Sequence, residues 1–128
     1  MNDTTVTAIQ LLQAQIFAGN ITAGWWTDLS TGKLRQPGDI ELALSKASLV
    51  HSEVSEMVEG IRKGLNDDHL PHRPMGEVEA ADAIIRLMDL GGYMNWDIGG
   101  AIQEKLEYNK QRLDHKIENR MKDGGKKA

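Results

Sequence analysis

Apolar residues recur at helical spacing along most of this chain, and nowhere do they alternate cleanly enough to mark a half-buried strand. In the first stretch, TVTAIQLLQAQIFA, Ile9, Leu12, Ile16 and Phe17 share a face, which predicts a helix from Thr5 to about Ala18, stopped by Gly19–Asn20. The next segment, AGWWTDLSTGKLRQPGD, is rich in Gly, Ser, Thr and Pro and reads as an ordered loop. Asp39 is placed to cap a second helix, with Leu42, Leu49, Val50, Val54, Met57, Val58 and Ile61 as its apolar set and an end near Lys63. Breakers in GLNDDHLPHRP, residues 64–74, separate it from a third helix expected from Met75 to Leu90, ended by GGY. A fourth helix is expected from near Asp97 to about Lys122, with Ile98, Ala101, Ile102, Leu106, Leu113 and Ile117 on its apolar side. The pattern therefore predicts an all-α, four-helix domain over residues 1–122, followed by a flexible basic tail at 123–128.

Two acidic pairs interrupt this pattern. Glu53 and Glu56 lie in LVHSEVSEMVEGIRK, and Glu79 and Asp82 lie in EVEAADAIIRLMDL. Each pair has i,i+3 spacing, which puts both carboxylates on one side of a helix. On the second helix, at about 100° per residue, Leu49 and Met57 fall within about 40° on either side of Glu53, so that acid sits inside the apolar arc. On the third helix Glu79 and Asp82 flank the apolar arc made by Val78, Ala81, Ile84, Ile85 and Met88. Acidic pairs of this kind commonly mark solvated faces. A carboxylate inside an apolar arc, however, needs a compensating partner. If the two helices pack antiparallel, four carboxylates converge, and the occupant that suits four oxygen donors is a hard divalent cation, Mg²⁺ or Mn²⁺.

Composition narrows the classes further. The 128 residues are 40% hydrophobic and 27% charged, the make-up of an ordinary globular domain. The net charge of −4 argues against a nucleic-acid coat, so no direct DNA or RNA binding is expected. With no cysteine, thiolate metal sites, disulfides and cysteine nucleophiles are excluded, which fits a cytoplasmic setting. No signal peptide and no membrane span are expected, and the opening Met suggests a complete small protein. There is no Gly-rich run ending in Lys-Ser/Thr. His51, His69, His72 and His115 show no zinc-ligand spacing.

The order ExxE, a spacer of about twenty residues, then ExxD resembles the MazG-like all-α nucleoside triphosphate pyrophosphohydrolases. Here the motif is Glu53-Val-Ser-Glu56 with Glu79-Ala-Ala-Asp82, twenty-two residues lying between Glu56 and Glu79. Further along, EKLEYNKQR places Lys105, Asn109 and Arg112 as the family's phosphate-contacting helix places its Lys, Asn and Arg. The stretches DDHLPHR and RLDHK look like small members of the family, often phage-encoded. The resemblance covers about Asp39 to Arg112. It implies cleavage of a nucleoside triphosphate to the monophosphate and pyrophosphate, with deoxynucleotides such as dGTP or dATP as substrates in nucleotide-pool control or in phage DNA precursor supply. It also implies a bundle-like fold, Mg²⁺ dependence and a homodimer or homotetramer.

In that setting Glu53, Glu56, Glu79 and Asp82 are the expected metal ligands, and Glu53 or Glu56 orients or deprotonates the attacking water. Lys105, Asn109 and Arg112, at i, i+4, i+7, are the expected phosphate contacts; the competing reading is a solvated face with Glu–Lys pairs. Trp25 and Trp26 are candidates for stacking on the base, one packing while the other stacks, although both could serve as core or interface anchors. Two other classes stay open at this point: a nucleotide sensor without catalysis, and a helical interaction protein with solvated acidic faces.

Overall fold

The computed structural model describes all residues from Met1 to Ala128. The fold is all-helical: α1 (Asp3–Thr22), α2 (Ile40–Lys63), α3 (Met75–Tyr93), α4 (Ile98–Gln111) and a short α5 (Ile117–Arg120), with a 3-10 turn at Leu113–His115. No helix is long and apolar enough to cross a membrane. The chain divides into two compact units, Leu11–Trp96, and Met1–Gln10 with Asp97–Ala128.

The unit Leu11–Trp96 is organised by α2 and α3. The Asp39 side chain accepts from Leu42 N (2.9 Å), as its position predicts, and Gly64 closes α2 with φ 61, a left-handed conformation that favours glycine. In the connecting loop, Asp67 is buried and accepts from the backbone N–H groups of His69 and Leu70. The two helices cross closely beside this loop, since a Cβ at Gly60 would lie 2.9 Å from the Met75 Cβ. Further from it, Glu53 meets Glu79 and Arg86, so the helices run antiparallel.

The apolar core is small and gathers around Trp26, only 1% exposed. Tyr93 stacks on its indole at 4.4 Å, Phe17 meets it edge-on at 5.7 Å, and Ala43 and Leu90 complete the cluster. Trp26 Nε1 donates to Asp89 (2.8 Å), while Tyr93 Oη donates to Gln36 O and accepts from Asp39 N. The loop between α1 and α2 is thereby tied to the end of α3.

Three expected boundaries differ. α1 continues through Gly19–Asn20 to Thr22, and the chain turns instead at Gly24, φ 87. α3 continues through Gly91-Gly92-Tyr93, because packing around Trp26 outweighs the weak helix propensity of two glycines. Gly92 is needed in that turn, as a Cβ there would collide with the Phe17 ring. The expected fourth helix is divided: α4 stops at Gln111, and Arg112 turns extended to pair with Asp114. An i,i+2 pair cannot form on a helix. Leu113 and Ile117 are about two-thirds exposed, so nothing there rewards continuation.

In the unit of Met1–Gln10 and Asp97–Ala128, Asp97 caps α4 through Gly100 N (2.9 Å) and also accepts from Gln10. Gly99 lets α4 approach α1, since a Cβ there would come 3.0 Å from Val6 O. The tail folds back on α5 through hydrogen bonds from the Arg120 guanidinium to the carbonyls of Lys126 and Lys127.

Trp26→Ala is expected to lower unfolding free energy by about 3–5 kcal/mol, the cost of deleting a buried aromatic. Urea titration followed by circular dichroism measures this, and a loss below about 1 kcal/mol would refute the central role assigned to this indole.

Candidate functional site

The acidic pairs do meet. Carboxylate oxygens of Glu53, Glu56 and Glu79 lie within 4.8 Å of one another, with Glu53 and Glu79 buried and Glu56 exposed. α2 supplies the first two and α3 the third. Asp82 stands outside this closest group; its charge reaches Glu79, and its side chain lines the neighbouring cleft.

The rotation of α3 is the main departure from expectation. Its Glu79 face, and not its most apolar arc, packs on α2. Gly76 lies against Ile61 at one end of that face, and Leu90 and Tyr93 join the Trp26 cluster at the other. Both ends hold the same side inward, so Glu79 goes in at 7% exposure while Ile84 and Ile85 stay 48% and 41% exposed. Glu53, which its own helix pattern places in an apolar arc, is buried at 7%.

Two buried carboxylates side by side repel and are poorly hydrated. Arg86 offsets part of this, its Nε lying 2.5 Å from Glu53 Oε1. Glu79 has no such cation. Burial, a hydrogen bond to Glu53 and the negative charges of Glu56, Glu53 and Asp82 push its pKa up to about 7. A clustered set of oxygen donors, one of them holding a proton that a cation would displace, fits a hard divalent ion such as Mg²⁺. Other ions with the same ligand preference fit as well. No histidine joins the cluster.

Beside the cluster opens a cleft of about 390 Å³, lined by Asn20, Trp25, Lys46, Asp82, Arg86 and Asp89 with Leu49 and Ile85. Arg86 belongs to both, pairing with Glu53 and facing the cleft. The adjacent tryptophans are separated in role. Trp25 is 68% exposed at the cleft, whereas Trp26 lies buried between Tyr93 and the Lys46 ammonium, 4.7 Å from its ring. Trp26 therefore has no open face for a base, and the base-stacking expectation narrows to Trp25.

Lys105, Asn109 and Arg112 belong to the other unit. With the helix ended at Gln111, Arg112 leaves the face shared by Lys105 and Asn109, and its guanidinium is held by Asp114 at 2.6 Å and 3.0 Å. Lys105 Nζ lies over the Tyr108 ring. Asn109 Oδ1 is buried without a hydrogen-bond partner. Sequence reasoning missed Asn20, Lys46, Arg86 and Asp89 as cleft residues. Only Arg86 carried a signal, lying four residues after Asp82 and seven after Glu79, on the same helix side.

No protein-family model, curated protein or solved structure matches the chain.

Because Glu79 has a raised pKa in the folded chain, its proton contributes stability that is fully present below about pH 4.5 and is lost as pH rises through 7. The metal-free melting temperature is expected to carry a downward component between pH 5 and 8, and Glu79→Gln to remove it. Millimolar Mg²⁺ is expected to raise the melting temperature at pH 8 more than at pH 5, because binding requires the deprotonated site. Differential scanning fluorimetry across pH, with and without EDTA, reads both, and a magnesium effect independent of pH would contradict the assignment.

Proposed function

We propose that this chain is a Mg²⁺-dependent nucleoside triphosphate pyrophosphohydrolase of the MazG-like all-α class, acting as a homo-oligomer on deoxynucleotides such as dGTP or dATP. The observation that carries this reading is the convergence of Glu53, Glu56 and Glu79 across α2 and α3, next to a cleft that offers an exposed indole and two cations.

Hydrolysis at the α-phosphorus must bring a nucleophile to a highly anionic centre. When bound, Mg²⁺ neutralises phosphate charge and acidifies the attacking water. Glu53, Glu56 and Glu79 would hold the ion, with Asp82 at the edge of the set. Arg86 pairs with the Glu53 carboxylate and fixes its direction, a positioning task rather than proton transfer. Glu56, exposed and without an ion-pair partner, is the carboxylate left free to orient the water and accept its proton. Lys46 and Arg86 are the cations at the cleft, and we assign them the nearest phosphate contacts. Lys105 and Asn109 keep only the role that the family resemblance implies. Trp25 offers the open aromatic face on which a base would stack.

Product analysis over ribo- and deoxynucleoside triphosphates is expected to give monophosphate and pyrophosphate with Mg²⁺ or Mn²⁺ and neither product in EDTA. Binding without turnover would favour a sensor, and the absence of both would leave a helical interaction protein. Glu56→Gln is expected to reduce kcat by about 10²–10⁴ with little change in substrate affinity. Trp25→Ala is expected to weaken substrate binding by about 1–3 kcal/mol, roughly 5- to 150-fold in KM, with kcat nearly intact. A Trp25→Ala enzyme with unaltered KM would remove this residue from the base site.

A further inference from the structure

Asp89 is a buried carboxylate that the chemistry proposed above leaves unused. It lies on α3, 7% exposed, in the wall of the cleft at which Trp25 stands. Its Oδ1 accepts from Trp26 Nε1 (2.8 Å). Neither cleft cation pairs with it, since Arg86 is engaged by Glu53 and the Lys46 ammonium sits over the Trp26 ring. An indole N–H needs only one acceptor, and a neutral amide or hydroxyl would satisfy it without burying an acid. The carboxylate therefore has acceptor capacity to spare, on a group held in place by a sealed tryptophan. Spare acceptors in the wall of a cleft are satisfied by donors from a ligand.

The position of Asp89 along α3 decides which part of a nucleotide reaches it. Asp82 and Asp89 are seven residues apart on one side of the helix, and both line the cleft. At 1.5 Å per residue they are separated by about 10 Å. The Glu53, Glu56 and Glu79 cluster adjoins the Asp82 end, so a reacting phosphate held there is about two helical turns from Asp89. Sugar hydroxyls lie only a few bonds from the α-phosphorus and fall short of that span. The Watson–Crick edge of a base, on the far side of the ring from the sugar, covers it. Trp25, Leu49 and Ile85 supply the apolar surface that a base needs on the way.

Given the nucleotide site proposed above, on which this assignment rests, we propose that Asp89 makes the site select guanine. A carboxylate accepts hydrogen bonds from its partners, and guanine sets two adjacent donors, N1–H and N2–H₂, on its Watson–Crick edge. Adenine places the N1 lone pair beside its amino group, cytosine places N3 there, and thymine holds one N–H between two carbonyls. Each of these turns an acceptor toward the carboxylate, which is repulsive. Asn20, also in the cleft wall, carries an amide that can donate to guanine O6. Of the two deoxynucleotides named above, dGTP is then the substrate and dATP the one rejected.

Isothermal titration calorimetry with deoxynucleoside monophosphates in Mg²⁺ reads base selection without turnover. dGMP is expected to bind at least about 10-fold tighter than dAMP, dCMP or dTMP, the discrimination given by one well-paired base edge. 1-Methyl-dGMP, which lacks N1–H, is expected to lose that advantage, whereas 7-deaza-dGMP, altered away from this edge, keeps it. These analogues test the wild-type chain, so the outcome does not hang on the folding of a variant. Asp89→Asn keeps an oxygen for Trp26 and turns an NH₂ toward the cleft, and is expected to lower the dGMP-to-dAMP affinity ratio at least about 10-fold. A role confined to holding Trp26 would weaken all bases alike and leave that ratio unchanged. Selective dGMP binding without triphosphate turnover would refute the hydrolase reading and leave this assignment standing. Turnover of dGTP and dATP with equal kcat/KM, undiminished binding of 1-methyl-dGMP, a ratio unmoved in Asp89→Asn, or no binding of any nucleotide would each overturn it.

Discussion

Packing α2 on α3 carries carboxylates into a place that water hardly reaches, and the rest of the unit is arranged around that constraint. Glu53 and Glu79 are both buried and adjacent. Burying one carboxylate already disfavours its charge, and burying two side by side compounds the cost. Arg86 answers for Glu53, and a retained proton answers for Glu79. A hairpin selected only for stability would put Leu or Ala at these positions at lower cost. The arrangement makes sense if a cation completes it, which ties the stability of the fold to the occupancy of the site.

Holding such a cluster requires that α3 cannot rotate to bury its greasier side. Glycine contacts set the start of the helix, where Gly60 and Gly76 bring the backbones together. Trp26 sets its far end, engaging Tyr93 by stacking and Asp89 by a hydrogen bond. The same indole anchors the loop that carries Trp25, so core packing also presents an aromatic surface at the cleft. Structure and chemistry are linked through adjacent residues of opposite fate, one sealed and one open.

The exposure of apolar side chains on α3 follows from the same rotation, and α2 adds exposed apolar positions on its side away from α3. Ile84 and Ile85 on α3, and Ile40, Leu44, Val58 and Ile61 on α2, remain largely exposed.

Local sequence determined the elements with local causes: the capped start of α2 at Asp39, its glycine stop at Gly64, the loop before Met75 and the all-helical class. It also singled out Glu53 as an acid in a buried arc, because a single helix determines its own faces. Three things were decided by packing, present or absent. The glycines after Leu90 were drawn into α3 by the Trp26 cluster. Arg112 left the helix for Asp114 because nothing packs on the residues that follow. Glu79 was turned inward, and Arg86 beside it, by contacts at both ends of α3. Periodicity specifies which residues share a face, whereas the direction in which that face points is set by whatever packs at its ends, and only the tertiary structure contains that contact.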